Sequence, residues 1–251
     1  MSEPATWFAF DNPWEVIALI GVIVGLRVAV PRVSAFDRWR AGLLEFVDSA
    51  LIAALLVFCL LRPFVIQAFF IPSGSMEPTL LEGDRILVNK FIYFFRPPAD
   101  GDIMVFNAPP QATDGNKDFI KRVVGTPGDR LQVRRDRPGI EEGGLIRNGQ
   151  LQQEPYIAER PDYGWPAPMG EYMLFPGEGV RFVEPGDEIT VPDGYLVAMG
   201  DNRNNSNDSH RWAVPDRANS HMVAEPFVPR ENVLGKAMVV FWPPQRIRLL
   251  H

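Results

Sequence analysis

Residues 102–108 read Asp102-Ile-Met-Val-Phe-Asn-Ala108, and residues 118–125 read Asp118-Phe-Ile-Lys-Arg-Val-Val-Gly125. Both runs are short, rich in β-branched and aromatic residues, and fenced by Gly, Pro, Asp or Asn, a texture that specifies strands. The same texture extends outward from them. RILVNKFIYFF (85–95), GLIRNGQLQ (144–152), VRFVE (180–184), EITV (188–191), GYLVAMG (194–200) and GKAMVVFW (235–242) also read as strands. Asn148-Gly149 stands between two such runs, the pair favoured in a two-residue hairpin turn. No helical pattern of 10–15 residues alternates with the strands, which argues against a parallel βαβ sheet. The expected fold over residues 63–251 is therefore mainly β and antiparallel. Residues 136–185 are richest in Gly, Pro and charge and read as an inserted subdomain or long loops.

Upstream the texture differs. Residues 14–30 read WEVIALIGVIVGLRVAV, with Glu15 near one end and Arg27 near the other. Residues 43–61 read LLEFVDSALIAALLVFCLL, with Glu45 and Asp48 in the first two turns. A spanning helix needs about 20 mostly apolar residues, and each stretch reaches that length only if its charges lie at the interface or face a partner helix. Neither shows the polar stripe of a soluble amphipathic helix. The expectation is two transmembrane helices, 14–30 and 43–62, joined by a connector at 31–42 and preceded by a short segment, 1–13. The connecting region carries Arg27, Arg32, Arg38 and Arg40 against Asp37, whereas the first fifteen residues carry Glu3, Asp11 and Glu15 and no base. The positive-inside rule then places the connector in the cytoplasm and both ends outside. Without a basic n-region the stretches read as anchors, not as a cleaved signal.

Composition narrows the function. The chain has 251 residues, 46% apolar and 22% charged, with net charge −6. That suits a folded core, and an acidic chain without a Lys/Arg cluster is no nucleic-acid binder. A single cysteine, Cys59, excludes an intrachain disulfide framework and a multi-Cys metal site. Neither a metal nor another cofactor is expected.

Three segments concentrate chemistry. In Ile71-Pro-Ser-Gly-Ser-Met-Glu-Pro-Thr-Leu80, Pro72 and Pro78 fix the backbone, Gly74 permits close approach, and Ser73 and Ser75 offer hydroxyls. In 118–125, Lys121 interrupts an apolar strand, and its neighbours leave open which face it takes. Gly200-Asp-Asn-Arg-Asn-Asn-Ser-Asn-Asp-Ser-His210 is a dense polar turn.

Together these segments resemble the type I signal peptidases, the membrane-bound leader peptidases. Ser73–Leu80 is similar to that family's nucleophile box. Residues 101–106 and 121–129 are similar to its central boxes, and residues 199–209 to its last. Asn148-Gly149, Glu154-Pro-Tyr156 and Val191-Pro-Asp-Gly-Tyr195 resemble its intervening pattern. The ordered set runs from about residue 64 to Trp242.

The resemblance implies a β-rich, signal-peptidase-like domain behind its anchors. It also implies a serine endopeptidase that removes signal peptides from exported preproteins through an acyl-enzyme, cutting after Ala-x-Ala-type sites. It implies Ser75 as nucleophile, Lys121 as general base, and Ser73 with the Ser75 amide as oxyanion hole. Ser206 and Asp208 correspond to residues supporting the lysine side. Phe69, Ile71, Pro72, Val105 and Ile120 correspond to pocket positions for small side chains. The implied partners are preproteins and membrane lipid. The implied location is the inner membrane, with the β-domain on the extracytoplasmic face. The chemistry is coherent: a serine hydroxyl needs a base within hydrogen-bond reach. A lysine serves only when neutral, and lowering its pKa from about 10.4 to about 7–8 corresponds to about 4 kcal/mol. Desolvation among apolar neighbours such as Phe119, Ile120 and Val123 supplies this, while alternation points Arg122 the other way.

The chain departs from the family pattern in three places. Asp208-Ser-His-Arg-Trp-Ala213 stands where Asp-Ser-Arg, an aromatic residue and Trp-Gly are frequent, so His210 replaces an arginine that would pair with Asp208, unless Arg211 takes over. Asn204 occupies a frequent aspartate position. The stretch PDRANSHMVAEP (215–226) is extra and reads as an extended surface loop. A Ser-His-Asp hydrolase has only His210, His221 and His251 to draw on, and no G-x-S-x-G elbow surrounds Ser75. A metalloprotease lacks H-E-x-x-H. A membrane-anchored module that binds exported chains without cutting them is the non-enzymatic alternative.

Overall fold

The computed structural model describes residues 13–32, 38–57, 66–113, 115, 117–136, 142–167, 170–184, 186–216 and 221–250. Glu3, Asp11, Asp37, Cys59, the last residues of the second apolar stretch and part of the 215–226 stretch lie outside the described residues. The chain divides into two compact units, residues 1–66 and 67–251.

In the first unit, α1 (Pro13–Ala29) is followed by a 3₁₀ turn at Val30–Arg32, and α2 spans Arg40–Leu55. Arg27 on α1 donates from Nε to Asp48 on α2 at 2.5 Å, so two of the charges interrupting the apolar stretches satisfy each other. Among the described residues no helix is long and apolar enough to cross a membrane.

The second unit is β. Its strands are β1 (Ile66–Phe70), β2 (Arg85–Asn89), β3 (Ile103–Asn107), β4 (Asp118–Gly125), β5 (Arg130–Arg134), β6 (Gly144–Arg147), β7 (Gln150–Leu151) and β8 (Glu171–Phe175). They continue with β9 (Gly179–Val183), β10 (Ile189–Thr190), β11 (Tyr195–Met199), β12 (Ala213–Pro215), β13 (Met222–Ala224), β14 (Phe227–Pro229), β15 (Val233–Trp242) and β16 (Arg248–Leu249). A large sheet runs β1-β2-β15-β3-β4-β11-β14, with β16 also on β15; two four-stranded sheets run β10-β5-β6-β7 and β12-β13-β8-β9. Described pairings are antiparallel except β13 with β8, as the strand-and-turn texture requires.

Three apolar clusters hold these sheets. Ile71, Met76, Leu80, Ile86, Val88, Ile103, Val105, Ala237 and Val240 form one against the β2-β15-β3 region. Met104, Phe106, Val123, Leu196, Ala198, Trp212 and Val228 form a second beneath β3, β4 and β11. The third joins Leu131, Val133, Leu145, Trp165, Met173 and Phe175 to Val124, Val197 and Met199, so the 130–183 segment shares a core with the large sheet. Each fully buried Ile, Leu or Met side chain contributes about 1.5–3 kcal/mol.

Asn148 and Gly149 both have positive φ (54° and 78°) between β6 and β7, the geometry a two-residue hairpin demands. Two readings need correction. Residues 85–95 are not one strand: β2 ends at Asn89, whose Oδ1 accepts the Phe91 and Ile92 amides and starts a helical turn, α3 (Ile92–Phe95). The 215–226 stretch is not purely loop, because β12 and β13 pair across it with Val214 opposite Val223.

Candidate active site

Ser75 lies in a 3₁₀ turn, Gly74–Met76, held from both sides. Met76 and Leu80 are fully buried, and the Leu80 amide donates to the Met76 carbonyl. From the 200–210 turn, the Asn202 amide donates to the Ser75 carbonyl at 3.2 Å and its side chain to Gly74 O at 3.0 Å. Thr79 donates to Asp201.

Lys121 comes from the middle of β4, between β3 and β11, opposite Met104. Its side chain ends with Nζ 2.9 Å from Ser75 Oγ and 2.9 Å from the Ile120 carbonyl. Nζ also sits 5.2 Å from the Phe119 ring centroid. The residue is 4% exposed. Burial pushes the ammonium down to about 8, against the opposing pull of the Asp208 and Asp201 carboxylates. The neighbouring Arg122 takes the other face, as alternation requires. It grips Asp201 with two nitrogens at 2.9 and 2.7 Å, donates to Gly101 O, and stacks 3.9 Å over the Tyr156 ring.

Asp208 is fully buried. Burial alone raises its carboxyl pKa. The His210 Nδ1 contact at 2.6 Å and the Gly200 amide at 2.8 Å more than offset this, so it lies below the usual carboxylate range. Ser206 is also buried; its hydroxyl helps hold Asp208 ionised but makes no hydrogen bond of normal geometry. Arg211 does not take over the pairing with Asp208: its Nε meets His210 Nε2 at 3.1 Å and its Nη2 meets Asn204 O. Among the described residues no histidine contacts Ser75; His210 faces Asp208 and Arg211, and Lys121 is the basic group hydrogen-bonded to that hydroxyl.

Ser73 is exposed in extended backbone immediately before the turn. Of the five expected pocket positions, Ile71, Val105, Phe69 and Ile120 meet in one apolar cluster, while Pro72 is exposed outside it. Asn204 accepts the Asp162 amide and donates to Arg160 O, tying the polar turn to the 152–165 loop.

Sequence reading did not find the pair that fixes this loop. Buried Arg203 grips Glu154 at 2.7 and 2.6 Å and donates to Gly200 O, and Tyr156 donates to the same carboxylate. Its only signal was Glu154-Pro-Tyr156, since 49 positions separate the partners.

The β-domain thus presents a hydroxyl, on Ser75, and a buried amine, on Lys121, at hydrogen-bond distance. The comparisons with known proteins specify the family. The signal peptidase, peptidase S26 family matches residues 43–242. The chain is 40% identical over 200 residues to a probable signal peptidase I-1 of Synechocystis sp., covering 78% of this chain and 81% of that protein. It is 36% identical over 214 residues to the signal peptidase I of Pseudomonas aeruginosa, covering 77% and 71%. It is also similar, at 40% over 192 residues and 74% of each chain, to a signal peptidase I of Leptolyngbya laminosa. The chain belongs to the signal peptidase family, peptidase S26, and is an enzyme of the signal peptidase I type.

Proposed function

We propose that this chain removes signal peptides from exported preproteins by a Ser75–Lys121 dyad. The observation that carries the reading is the 2.9 Å contact between Lys121 Nζ and Ser75 Oγ, made by an amine that burial brings to about 8. Neutral Lys121 takes the hydroxyl proton as Ser75 Oγ attacks the scissile carbonyl carbon. The oxyanion forms against the Ser75 amide and the Ser73 hydroxyl, and the protonated amine then protonates the departing nitrogen. Water, deprotonated by the same lysine, releases the acyl group. Ser206 and Asp208 support the lysine side. Phe69, Ile71, Pro72, Val105 and Ile120 define shallow space for small, Ala-x-Ala-type side chains, and an extended signal peptide pairs along 69–73 as an added strand. No cofactor takes part.

The same reading places the enzyme in the inner membrane, with segments 14–30 and 43–62 as spans and the β-domain outside. The Arg27–Asp48 pair supports it, because paired charges are what a span tolerates. Exposed Phe94 and Phe95 on α3, with Trp242, Ile247 and Leu249 by β15 and β16, support contact between this domain and lipid.

Cleavage of a preprotein with an Ala-x-Ala site, in detergent, tests the proposal with wild type, Ser75→Ala and Lys121→Ala folded alike. Loss of the wild-type cut in both variants is expected. Retained cutting by Lys121→Ala moves the base elsewhere, and no cut by folded wild type on several preproteins overturns the proposed Ala-x-Ala substrate class.

A further inference from the structure

The His210 imidazole has each nitrogen engaged by a different kind of partner. Nδ1 lies 2.6 Å from Asp208 Oδ1, and Nε2 lies 3.1 Å from Arg211 Nε. Arg211 Nε–H can only donate, because a guanidinium has no lone pair to offer. Nε2 must therefore be bare, which leaves the proton on Nδ1, where it is donated to Asp208. The ring is fixed from a third side by Tyr163, stacked at 3.9 Å and 8°. The charged and titratable groups around it are Asp208 and Arg211 from its own turn, Tyr163 from the 152–165 loop, and Glu171 from β8. Arg203 and Glu154, paired with each other, lie behind Tyr163.

We propose that Arg211, His210 and Asp208 form an ordered hydrogen-bond relay, and that neutral His210, protonated on Nδ1, is a positioning residue for the Asp208 carboxylate beside Lys121. The consequence for Lys121 rests on the dyad reading above; the relay itself does not. Asp208 acts on Lys121 by its charge. A neutral donor orients that carboxylate without cancelling its charge, whereas a cation in the same place cancels much of it. Adding a proton to Nε2 would set two donors against each other at 3.1 Å and expel the exposed Arg211 guanidinium, so the relay exists only with the neutral ring.

The test uses the full chain in detergent, labelled with ¹⁵N-histidine. The chain has three histidines, so the His210 signals are the set lost in His210→Asn. At a pH where activity has reached its plateau, the expected spectrum shows Nδ1 protonated and Nε2 bare. An Nε2–H tautomer or an imidazolium at that pH overturns the relay. The kinetic arm compares pH profiles of kcat/KM. His210→Arg places a permanent cation on Asp208, weakens its pull on the Lys121 ammonium, and moves the acid limb to lower pH by roughly half a unit. His210→Asn, whose amide N–H can replace Nδ1–H, keeps the limb in its wild-type place. His210→Ala lowers kcat about tenfold with KM little changed, and Asn restores most of that loss. Coincident limbs for Arg and wild type, or Asn no better than Ala, overturn the positioning role. Should Lys121→Ala still cut, the dyad reading falls, and the tautomer measurement alone decides the relay.

Discussion

Lys121 Nζ stands 2.9 Å from Ser75 Oγ, although 46 positions separate the two residues. The amine is delivered by the middle of β4 and the hydroxyl by a turn clamped to the 200–210 segment, so neither depends on a flexible arm. Burial keeps a neutral amine within reach of physiological pH, at about 8. A fully solvated lysine is almost wholly protonated there and has no lone pair to use.

Activity should therefore follow Lys121 deprotonation. Below pH about 8 the ammonium dominates, so kcat/KM is expected to rise tenfold per pH unit and to level off above that value. A steady-state profile from pH 6 to 10 checks this. A flat response across pH 7–8.5 would contradict the assigned base.

The same shift makes a stability prediction of opposite tone. The folded pKa of Lys121 is lowered, so between about 8 and its unfolded value near 10.5 the unfolded chain binds more protons than the native one. Stability attributable to this group accordingly rises as pH climbs through that window and is lowest below it. Lys121→Met removes the desolvation cost and should stabilise the inactive protein at pH 7 by up to about 3 kcal/mol. Urea denaturation at pH 7 and pH 10 measures it, and the advantage of Met should shrink at the higher pH.

The hairpin at Asn148-Gly149 and the strands around it were legible because turn chemistry and alternation are local. That Ser75 and Lys121 should meet was an expectation carried by the resemblance of the ordered boxes to the signal peptidases, and the two side chains do lie 2.9 Å apart. The side taken by Lys121 was not, because Ile120, Arg122 and Val123 allow either face; pairing with β3 and β11 decides it. The apolar run Phe91–Phe95 looked like more strand, but the Asn89 side chain caps a helical turn there, and Phe91 packs edge-on against Phe95. Contacts such as Arg203–Glu154 depend on two distant loops meeting, which no local pattern records.

Gly200 deserves a substitution because its neighbours leave no room. A Cβ there would lie 2.3 Å from both Ser75 O and Ser206 Oγ. Gly200→Ala must shift the backbone of Ser75 or of its own turn, and a displacement near 1 Å costs roughly a hundredfold in rate. The expected result is a large loss in kcat with circular dichroism unchanged. Wild-type kcat in a folded Gly200→Ala would show that the turn has slack.

Arg122 and Asp201 supply the last prediction. Their two-pronged pair is almost fully buried and ties the strand carrying Lys121 to the turn that holds Ser75. Removing one partner strands the other charge without water, a loss of about 3–5 kcal/mol. Asp201→Leu and Arg122→Met should each destabilise by that order in urea unfolding. The double variant leaves no orphaned charge, so its cost should fall well short of the sum of the two. Activity should behave differently: the double variant still lacks the link between strand and turn, so regained stability should not bring regained kcat. Full recovery of both would mean that the pair serves folding alone and that the dyad is positioned by the Asn202 contacts with Gly74 and Ser75.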